Sequence, residues 1–290
     1  FLFTGGGTGG SVAPRLAVAE FLRSHHPDIA ITFVGTTNGP EQTMIQSAAF
    51  SFTAIPSAKY RRYISWKNIT DTVQFIRACV AAWRILRHIQ PSIIISAGSY
   101  VSVPVVWIGW LLRIPSLIHQ QDIQPGLANR LMAPFAQRIT VSFEHLLRAF
   151  SEKKTVLTGN PARASIRRGS IESARQRFGL DPALPTVLVL GGGTGAQRLN
   201  ELFLQALPGC IDRMNVLHMT GQEKISLHVE HRHYHQSEFY TEGLADAFAV
   251  ADLVISRAGL GTLTELSALE KATIVIPMPN THQVANAKFF

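Results

Sequence analysis

FLFTGGGTGGSVAP (Phe1–Pro14) and VLVLGGGTGAQRLN (Val187–Asn200) share the pentapeptide GGGTG, each time behind an apolar strand-length run and ahead of a helical pattern. Both satisfy G-x-G-x-x-G/A, as Gly5, Gly7 and Gly10 and as Gly191, Gly193 and Ala196. A glycine loop that opens a helix lets backbone approach a ligand and turns free N–H groups and a positive dipole end toward an anion. Two such units in one chain predict two Rossmann-like domains.

The rest of the sequence follows the same alternation. FLFT, AITFVG, SIIISAG, SLIHQ and RITVSF read as strands in the first half, and TVLVLGG, MNVLHMTG, DLVISRAG and ATIVIP in the second. Periodic segments between them, such as RLAVAEFLRSHH, TVQFIRACVAAWRILRHI and TLTELSALEK, read as helices. Strands alternating with helices predict an α/β fold with parallel sheets covered on both faces. The expected division is 1–158, a linker over 159–170 where Gly, Pro and basic residues break the periodicity, and 171–290. Phe1 lies in mid-strand and THQVANAKFF stops within a helical pattern, so a longer chain with an incomplete C-terminal end is expected.

With 290 residues, 46% of them apolar and 16% charged, the chain has a globular composition. A net charge of +8 favours an anionic partner: nucleic acid, anionic lipid or a phosphorylated substrate. Cys79 and Cys210 read as buried free thiols. The longest apolar run, Val101–Leu112, is short of the roughly 20 residues that cross a bilayer.

Dinucleotide binding needs an acidic residue about 20 positions beyond the loop, at the end of the second strand. The second strands end FVGTTNG and LHMTGQ, without a carboxylate, which disfavours NAD; no cofactor is implied. SRAGLGTLTELSALEK places Glu265 in the early turns of a helix behind Gly259 and Gly261. Such a helix start suits a phosphate and the carboxylate suits ribose hydroxyls, or else Glu265 serves its own helix dipole. Arg163, in GNPAR at the domain junction, is placed to reach a diphosphate. No Asp-x-Asp motif occurs, and the histidines of HVEHRHYHQ match no closed zinc set, so a polar surface loop is expected there and no metal site.

In order along the chain stand GGGTGGSVAP, FVGTTNGPE, AGSYVSVP, IHQQDIQPGLANR, LTGNPAR, VLGGGTGAQRLN, LHMTGQ, SRAGLGTLTEL and HQVANA. This series resembles the MurG family, bacterial N-acetylglucosaminyltransferases of glycosyltransferase family 28, along nearly the whole sequence. The resemblance implies a GT-B fold and transfer of N-acetylglucosamine from UDP-GlcNAc to lipid I, an undecaprenyl-diphosphate-linked acceptor, giving lipid II for peptidoglycan at the cytoplasmic face of the plasma membrane. It implies that Gly192, Gly193 and Thr194 cover the donor diphosphate and Arg163 contacts it. Glu265 would hold the ribose, Leu244 would lie near the uracil, and His282 and Gln283 would contact the sugar. On the acceptor side it implies Thr8, Gly9, Gly10 and Ser11 of the first loop, Gly98, Tyr100 and Ser102 of a second, and Asn129 of a third.

This chain departs from the family at its proton acceptors. Ser11 stands where the family has histidine, and Gln120 where it has glutamate, HEQN being HQQD here. A hydroxyl and an amide have no basicity near neutral pH. Asp122 and His119 are the nearby replacements, with Asp122 expected to take the proton or, alternatively, to cap the following turn. Two other readings stay open at this point: a relative with the same donor and another acceptor, and a membrane-peripheral protein that binds nucleotide sugar without transferring it.

AKYRRYISWK mixes Lys59, Arg61, Arg62 and Lys67 with Tyr60, Tyr63 and Trp66. Arg77, Arg84 and Arg87 fall within about 80° of arc on the next helix. Basic and aromatic residues together suit an anionic membrane surface. Nucleic acid is the rival partner, and no nucleic-acid motif accompanies the patch.

Overall fold

The computed structural model describes every residue except 7–10, 38, 40, 57–66, 193, 194, 222, 225–228, 241 and 242, and describes only the backbone of 67–71. Its contacts divide the chain into two units, Phe1–Pro161 and Ala162–Phe290.

In the first unit the strands are β1 (Leu2–Thr4), β2 (Thr32–Thr36), β3 (Ser51–Ile55), β4 (Ile94–Ser96), β5 (Ser116–Gln120), β6 (Arg138–Val141) and β7 (Thr155–Leu157). They form one sheet in the order β3-β2-β1-β4-β5-β6-β7, every pair parallel. The helices are α1 (Val12–His25), α2 (Glu41–Ser47), α3 (Lys67–Ile89), α4 (Ser102–Leu111) and α5 (Leu127–Met132). Successive side chains of a strand point to opposite faces. Phe3 and Phe33 accordingly join Val12, Leu16, Ile45 and Phe50 on one face, while Leu2, Val34, Ile94 and Ile118 join α3 and α4 residues such as Leu86 and Val106 on the other. Burial on both faces is why these strands read as uninterrupted apolar runs.

The second unit holds α6 (Ile171–Phe178), β8 (Thr186–Leu190), α7 (Gln197–Ala206), β9 (Asn215–Met219), β10 (Tyr234–Ser237), α8 (Leu244–Val250), β11 (Leu253–Ser256), α9 (Leu260–Ala268), β12 (Thr273–Val275) and α10 (Gln283–Phe289). Its sheet runs β10-β9-β8-β11-β12, again parallel throughout. Leu188, Leu190 and Leu217 face one core, and Val187, Val189 and Val216 the other.

Three strands escape the periodicity reading: β3, β7 and β10 each stand at a sheet edge, where one flank has no strand partner. A less enclosed strand does not need a continuous apolar run, and SFTAI, TVL and YHQS lack one. β10 also corrects the expectation for HVEHRHYHQ, since His233 and Tyr234 are buried and the run ends in the sheet rather than in a surface loop. Among the described residues no cluster of three potential ligands surrounds it. Cys79 and Cys210 are free but half-buried rather than buried.

Residues from 162 onward pack into the second unit. Ala164–Arg168 form a 3-10 turn that buries Ile166 in the α6–α8 core. Ser170 then caps α6, its hydroxyl accepting from the Ser173 N–H at 3.2 Å, and its own N–H donates to the Asp246 carboxylate at 2.9 Å. Gly169 lies against the backbone of α8, so a β-carbon there would run into the carbonyl of Ala245. Gly169→Ala is therefore expected to lower stability by about 1–3 kcal/mol through overpacking alone. A leftward shift of the urea unfolding midpoint measures it, and an unshifted midpoint would show that the approach relaxes without cost.

Candidate functional site

Strand order reverses once in each sheet, and a crevice opens at the carboxyl ends of the two strands that flank a reversal. In the first unit the reversal lies between β1 and β4. The glycine loop follows β1, and the loop bearing Gly98, Tyr100 and Ser102 follows β4. Thr8, Gly9 and Gly10 lie outside the described residues, but the ends of their loop are defined. Ser11 is buried at the start of α1 and makes no side-chain cap. Gly5, at φ +147°, faces the guanidinium of Arg15, which a β-carbon would approach to 2.9 Å.

An acidic residue does stand at the end of β2, although it comes from the first residue of α2. Glu41 is fully buried, and its Oε1 accepts from the Thr36 N–H at 2.8 Å and the Thr36 hydroxyl at 2.5 Å. It packs against Gly6, where a β-carbon would collide with it. This carboxylate braces the strand end and fills the space beside Gly6. No pattern within β2 announces it, because it arrives from the next helix.

The other residues expected on the acceptor side fall into two hydrogen-bonded groups, one around Gly98 and one around Gln120. The Ser96 hydroxyl accepts from the Gly98 N–H at 3.1 Å, and the Ser102 hydroxyl donates to the Gly98 carbonyl at 2.8 Å. Ser102 is fully buried, so its hydroxyl shapes the loop. Tyr100 is half-buried beside it. Asn129, also buried, donates from Nδ2 to the His119 carbonyl at 3.1 Å and to Gln120 Oε1 at 2.7 Å. Its Oδ1 faces Gly98.

His119 is tied on both sides of its ring. Nε2 lies 2.9 Å from Asn160 Oδ1 and Nδ1 2.9 Å from the Thr140 hydroxyl. Donation from Nε2 to the amide oxygen leaves Nδ1 to accept from the hydroxyl, so neither nitrogen is open to a substrate proton. Burial also pushes the ring's pKa below the usual histidine value, against a smaller upward effect of the Asn160 bond. Both ring nitrogens of His119 are thus engaged, one by Thr140 and the other by Asn160.

Gln120 is used up in the same way. Its Nε2 donates to the carbonyls of Asp122 (2.8 Å) and Gln124 (2.9 Å), and its Oε1 accepts from the Gly126 N–H at 3.2 Å as well as from Asn129. Two of those partners are carbonyls, which an ionised carboxylate at this position could not serve. The amide folds the Gln121–Gly126 turn and sets Asp122 on it, half-buried.

In the second unit the reversal lies between β8 and β11. Gly191 and Gly192 follow β8, and the SRAGLG turn follows β11 and opens α9. Gly193 and Thr194 lie outside the described residues. Gly192 has open space where its β-carbon would be. Glu265 sits in the second turn of α9, 4% exposed, and does not serve its own helix start. Instead it takes a two-pronged contact from Arg163, Nε to Oε1 at 2.5 Å and Nη2 to Oε2 at 3.0 Å. The two residues expected on different parts of a donor therefore meet each other. Each carboxylate oxygen keeps a second lone pair for a hydroxyl.

Leu244 begins α8 and packs on the core, half-buried. His282 is exposed at the start of α10, whereas Gln283 turns its Oε1 back to the Met278 N–H at 3.0 Å. Asn286 Nδ2 donates to the Ala258 carbonyl at 3.0 Å and holds α10 to the SRAGLG turn.

A buried polar chain also runs beneath the second glycine loop. Asn200 of α7 donates to the Thr220 carbonyl at 3.0 Å, and its Oδ1 meets His218 Nε2 at 3.1 Å. His218 Nδ1 meets the Tyr234 hydroxyl at 2.7 Å. Burial lowers His218 to about 4 and raises Tyr234 to about 12. His218 points inward from an apolar strand, so its sequence pattern carries no signal of the partners waiting on α7 and β10. An unfolded histidine gains its proton near pH 6.5 while this one stays neutral, so the unfolded state binds more protons between pH 6.5 and about 4. Stability is complete above that window and falls as pH drops through it, by on the order of 3 kcal/mol. Urea unfolding midpoints measured from pH 7 to 4.5 are expected to decline, with a shallower decline in His218→Gln. An equal slope in the two proteins would assign the effect to other groups.

Two doubly wound parallel units, each with a glycine loop at its strand reversal and the second with a carboxylate–guanidinium pair behind a helix start, have the architecture of the GT-B class. Residues 1–141 match the Glycosyltransferase family 28 N-terminal domain, and residues 186–290 the Glycosyltransferase family 28 C-terminal domain. The chain is 35% identical over its whole length, and over 83% of the relative, to the UDP-N-acetylglucosamine--N-acetylmuramyl-(pentapeptide) pyrophosphoryl-undecaprenol N-acetylglucosamine transferase 3 of Bacillus thuringiensis (strain Al Hakam). The transferase so named, without a number, from Lachnoclostridium phytofermentans is likewise 35% identical, across all of this chain and 82% of that protein. The crystal structure of MurG from Acinetobacter baumannii aligns with a TM-score of 0.64 at 25% identity, covering 99% of this chain and 82% of that one. The chain belongs to glycosyltransferase family 28.

Proposed function

We propose that this chain transfers N-acetylglucosamine from UDP-GlcNAc to lipid I, forming lipid II, by an inverting and metal-independent displacement at the cytoplasmic face of the bacterial plasma membrane. The observation that carries the reading is the Arg163–Glu265 pair at the strand reversal of the second unit. A guanidinium for a diphosphate and a carboxylate for ribose hydroxyls stand side by side there, behind a helix N-terminus. The names of the relatives supply the sugar and the acceptor.

In this reaction the acceptor hydroxyl oxygen bonds to the anomeric carbon as the bond from that carbon to the diphosphate oxygen breaks. UDP leaves carrying the electron pair. Arg163, the loop N–H groups after β8 and the start of α9 stabilise the negative charge that develops on it. The absence of an Asp-x-Asp motif from the sequence supports a departure without a bridging metal. His282, exposed at the start of α10, is proposed to contact the sugar, and Leu244 to lie near the uracil.

The proton of the acceptor hydroxyl passes to Asp122. With both ring nitrogens of His119 bonded, Gln120 an amide and Ser11 a hydroxyl, Asp122 is the carboxylate that the HQQD turn carries. UDP release from UDP-GlcNAc is expected to need a lipid I analogue, whereas turnover with some other acceptor alone, or binding without turnover, refutes the reading. Asp122→Asn is expected to cut turnover by about 100-fold or more with UDP affinity unchanged. A rate within about threefold of the parent would remove Asp122 from the proton path.

Membrane attachment is proposed through α3. Val73, Ile76, Val80 and Trp83 are 40–57% exposed and fall within roughly 80° of arc along it. The exposed Arg77 and Arg84 border the same stripe, Arg87 lies on its line one turn beyond Trp83, and α4, which packs on α3, adds exposed Trp110 and Leu111. Lys59–Trp66 and the Lys67 side chain lie outside the described residues. Among the described residues no helix is long and apolar enough to cross a membrane. An apolar stripe edged by arginines suits the headgroup boundary of an anionic leaflet. Flotation with phosphatidylglycerol-containing liposomes is expected to carry the protein, and the Ile76→Glu, Val80→Glu double variant to leave it behind while UDP binding persists. Equal flotation of the two proteins would exclude this face.

A further inference from the structure

We infer that His145 is a positioning residue for the proposed transfer, clamping the turn that carries Asp122 through a carbonyl that Gln120 does not hold. The inference rests on the proposed role of Asp122 as acceptor of the hydroxyl proton.

Residues 121–126 lead from β5 to α5. Gln120, the last residue of β5, holds the carbonyls of Asp122 and Gln124 and the N–H of Gly126. The carbonyl between those two, on Ile123, is taken from a different element: His145 Nε2 lies 2.8 Å from it. A carbonyl oxygen only accepts, so the imidazole carries a proton on Nε2 and donates it. Three successive peptide groups, beginning at Asp122, are therefore held by side chains, two by Gln120 and one by His145.

The segment that presents His145 is itself anchored. Its backbone continues the β5–β6 pairing, with the Ser142 N–H donating to the Gln120 carbonyl at 3.1 Å. Glu144–Ala149 then form a 3-10 turn that buries Leu146 in the core of the first unit. The Phe143 ring stacks on the imidazole, with centroids 5.9 Å apart and planes inclined by 23°. His145 thus reaches the turn from a fixed base with its ring plane held, although its side chain is exposed.

An exposed hydrogen bond adds little to global stability, because water competes for both partners. The effect of this one is geometric. Gln120 grips the turn from β5 and His145 grips it from the segment after β6, and attachments from two strands oppose rocking about either. A proton acceptor has to lie within hydrogen-bond reach of the hydroxyl it serves. A displacement of about 1 Å is enough to cost on the order of 100-fold in rate.

The test compares full-length parent, His145→Ala, His145→Gln, Asp122→Asn and the His145→Ala, Asp122→Asn double variant in transfer from UDP-GlcNAc to a lipid I analogue. Hydrogen exchange of residues 121–126 is followed in the UDP-bound proteins. His145→Ala is expected to lower kcat by about tenfold and to speed exchange in the turn, with KM for UDP-GlcNAc and the thermal midpoint close to the parent's. His145→Gln keeps a donor at nearly the same reach and is expected to stay within about threefold of the parent. In the Asp122→Asn background, His145→Ala is expected to add less than about twofold, because it acts through that carboxylate. If the alanine variant does not fold, His145→Leu, which fills the place of the ring without a donor, carries the same expectations. A parent-like kcat in His145→Ala beside a slow Asp122→Asn overturns the inference alone. A glutamine variant as slow as the alanine one, or a full tenfold further loss in the double variant, also overturns it. Asp122→Asn at the parent rate instead refutes the proton-acceptor reading, and the inference falls with it.

Discussion

A parallel sheet whose strand order reverses must leave a gap above the two strands where its crossover connections part. That constraint organises both units. The chain leaves β1 and β8 into glycine turns at those gaps, and leaves β4 and β11 into the turns that face them. Helices α1, α7 and α9 begin there, so their unpaired N–H groups collect at the same edge. The positive character of each site follows from topology before any charged side chain is counted.

Polar side chains near these gaps largely hold loops rather than wait for ligand. Ser102 and Ser96 brace Gly98, Gln120 braces the turn that carries Asp122, and Asn129 bonds to Gln120 with its Oδ1 facing Gly98. His119 locks to Thr140 and Asn160. The second unit repeats the strategy with Asn200, His218 and Tyr234. Buried polar networks of this kind tolerate few substitutions, because each member removed leaves a partner unsatisfied. Gln120 illustrates the consequence: it serves two carbonyls and two N–H groups at once, a pattern that suits an amide and excludes an ionised acid.

Much of the fold was legible because both faces of the central strands are covered. TVLVL and SLIHQ read as strands from their apolar runs, and GGGTG marked the two loops that open helices. The edge strands SFTAI, TVL and YHQS did not, since less enclosed strands dispense with such runs. Of the site, the GNPAR arginine and the SRAGLGTLTEL glutamate were readable from their settings. Their mutual contact was not, because it joins positions 102 residues apart. Arg15 and Glu41 stood among helix-start residues with nothing local to mark them, and the exposure of Val73, Ile76, Val80 and Trp83 follows only from the packing of the opposite side of α3, with Ala82 and Leu86, into the core.

By itself the sequence determined the class of fold, the two glycine turns, the family and the chemical types available at each site. Those features are local: they follow from apolar runs, from glycine at turns and from short motifs in order. Only the tertiary structure decided which of those groups are engaged. It closed Arg163 onto Glu265, bonded both nitrogens of His119, and set the Arg15 guanidinium against the carbonyls of Gly5 and Ser11. Hydrogen-bond partnership and desolvation depend on groups brought together from distant positions, and no window along the chain contains both halves of such a contact.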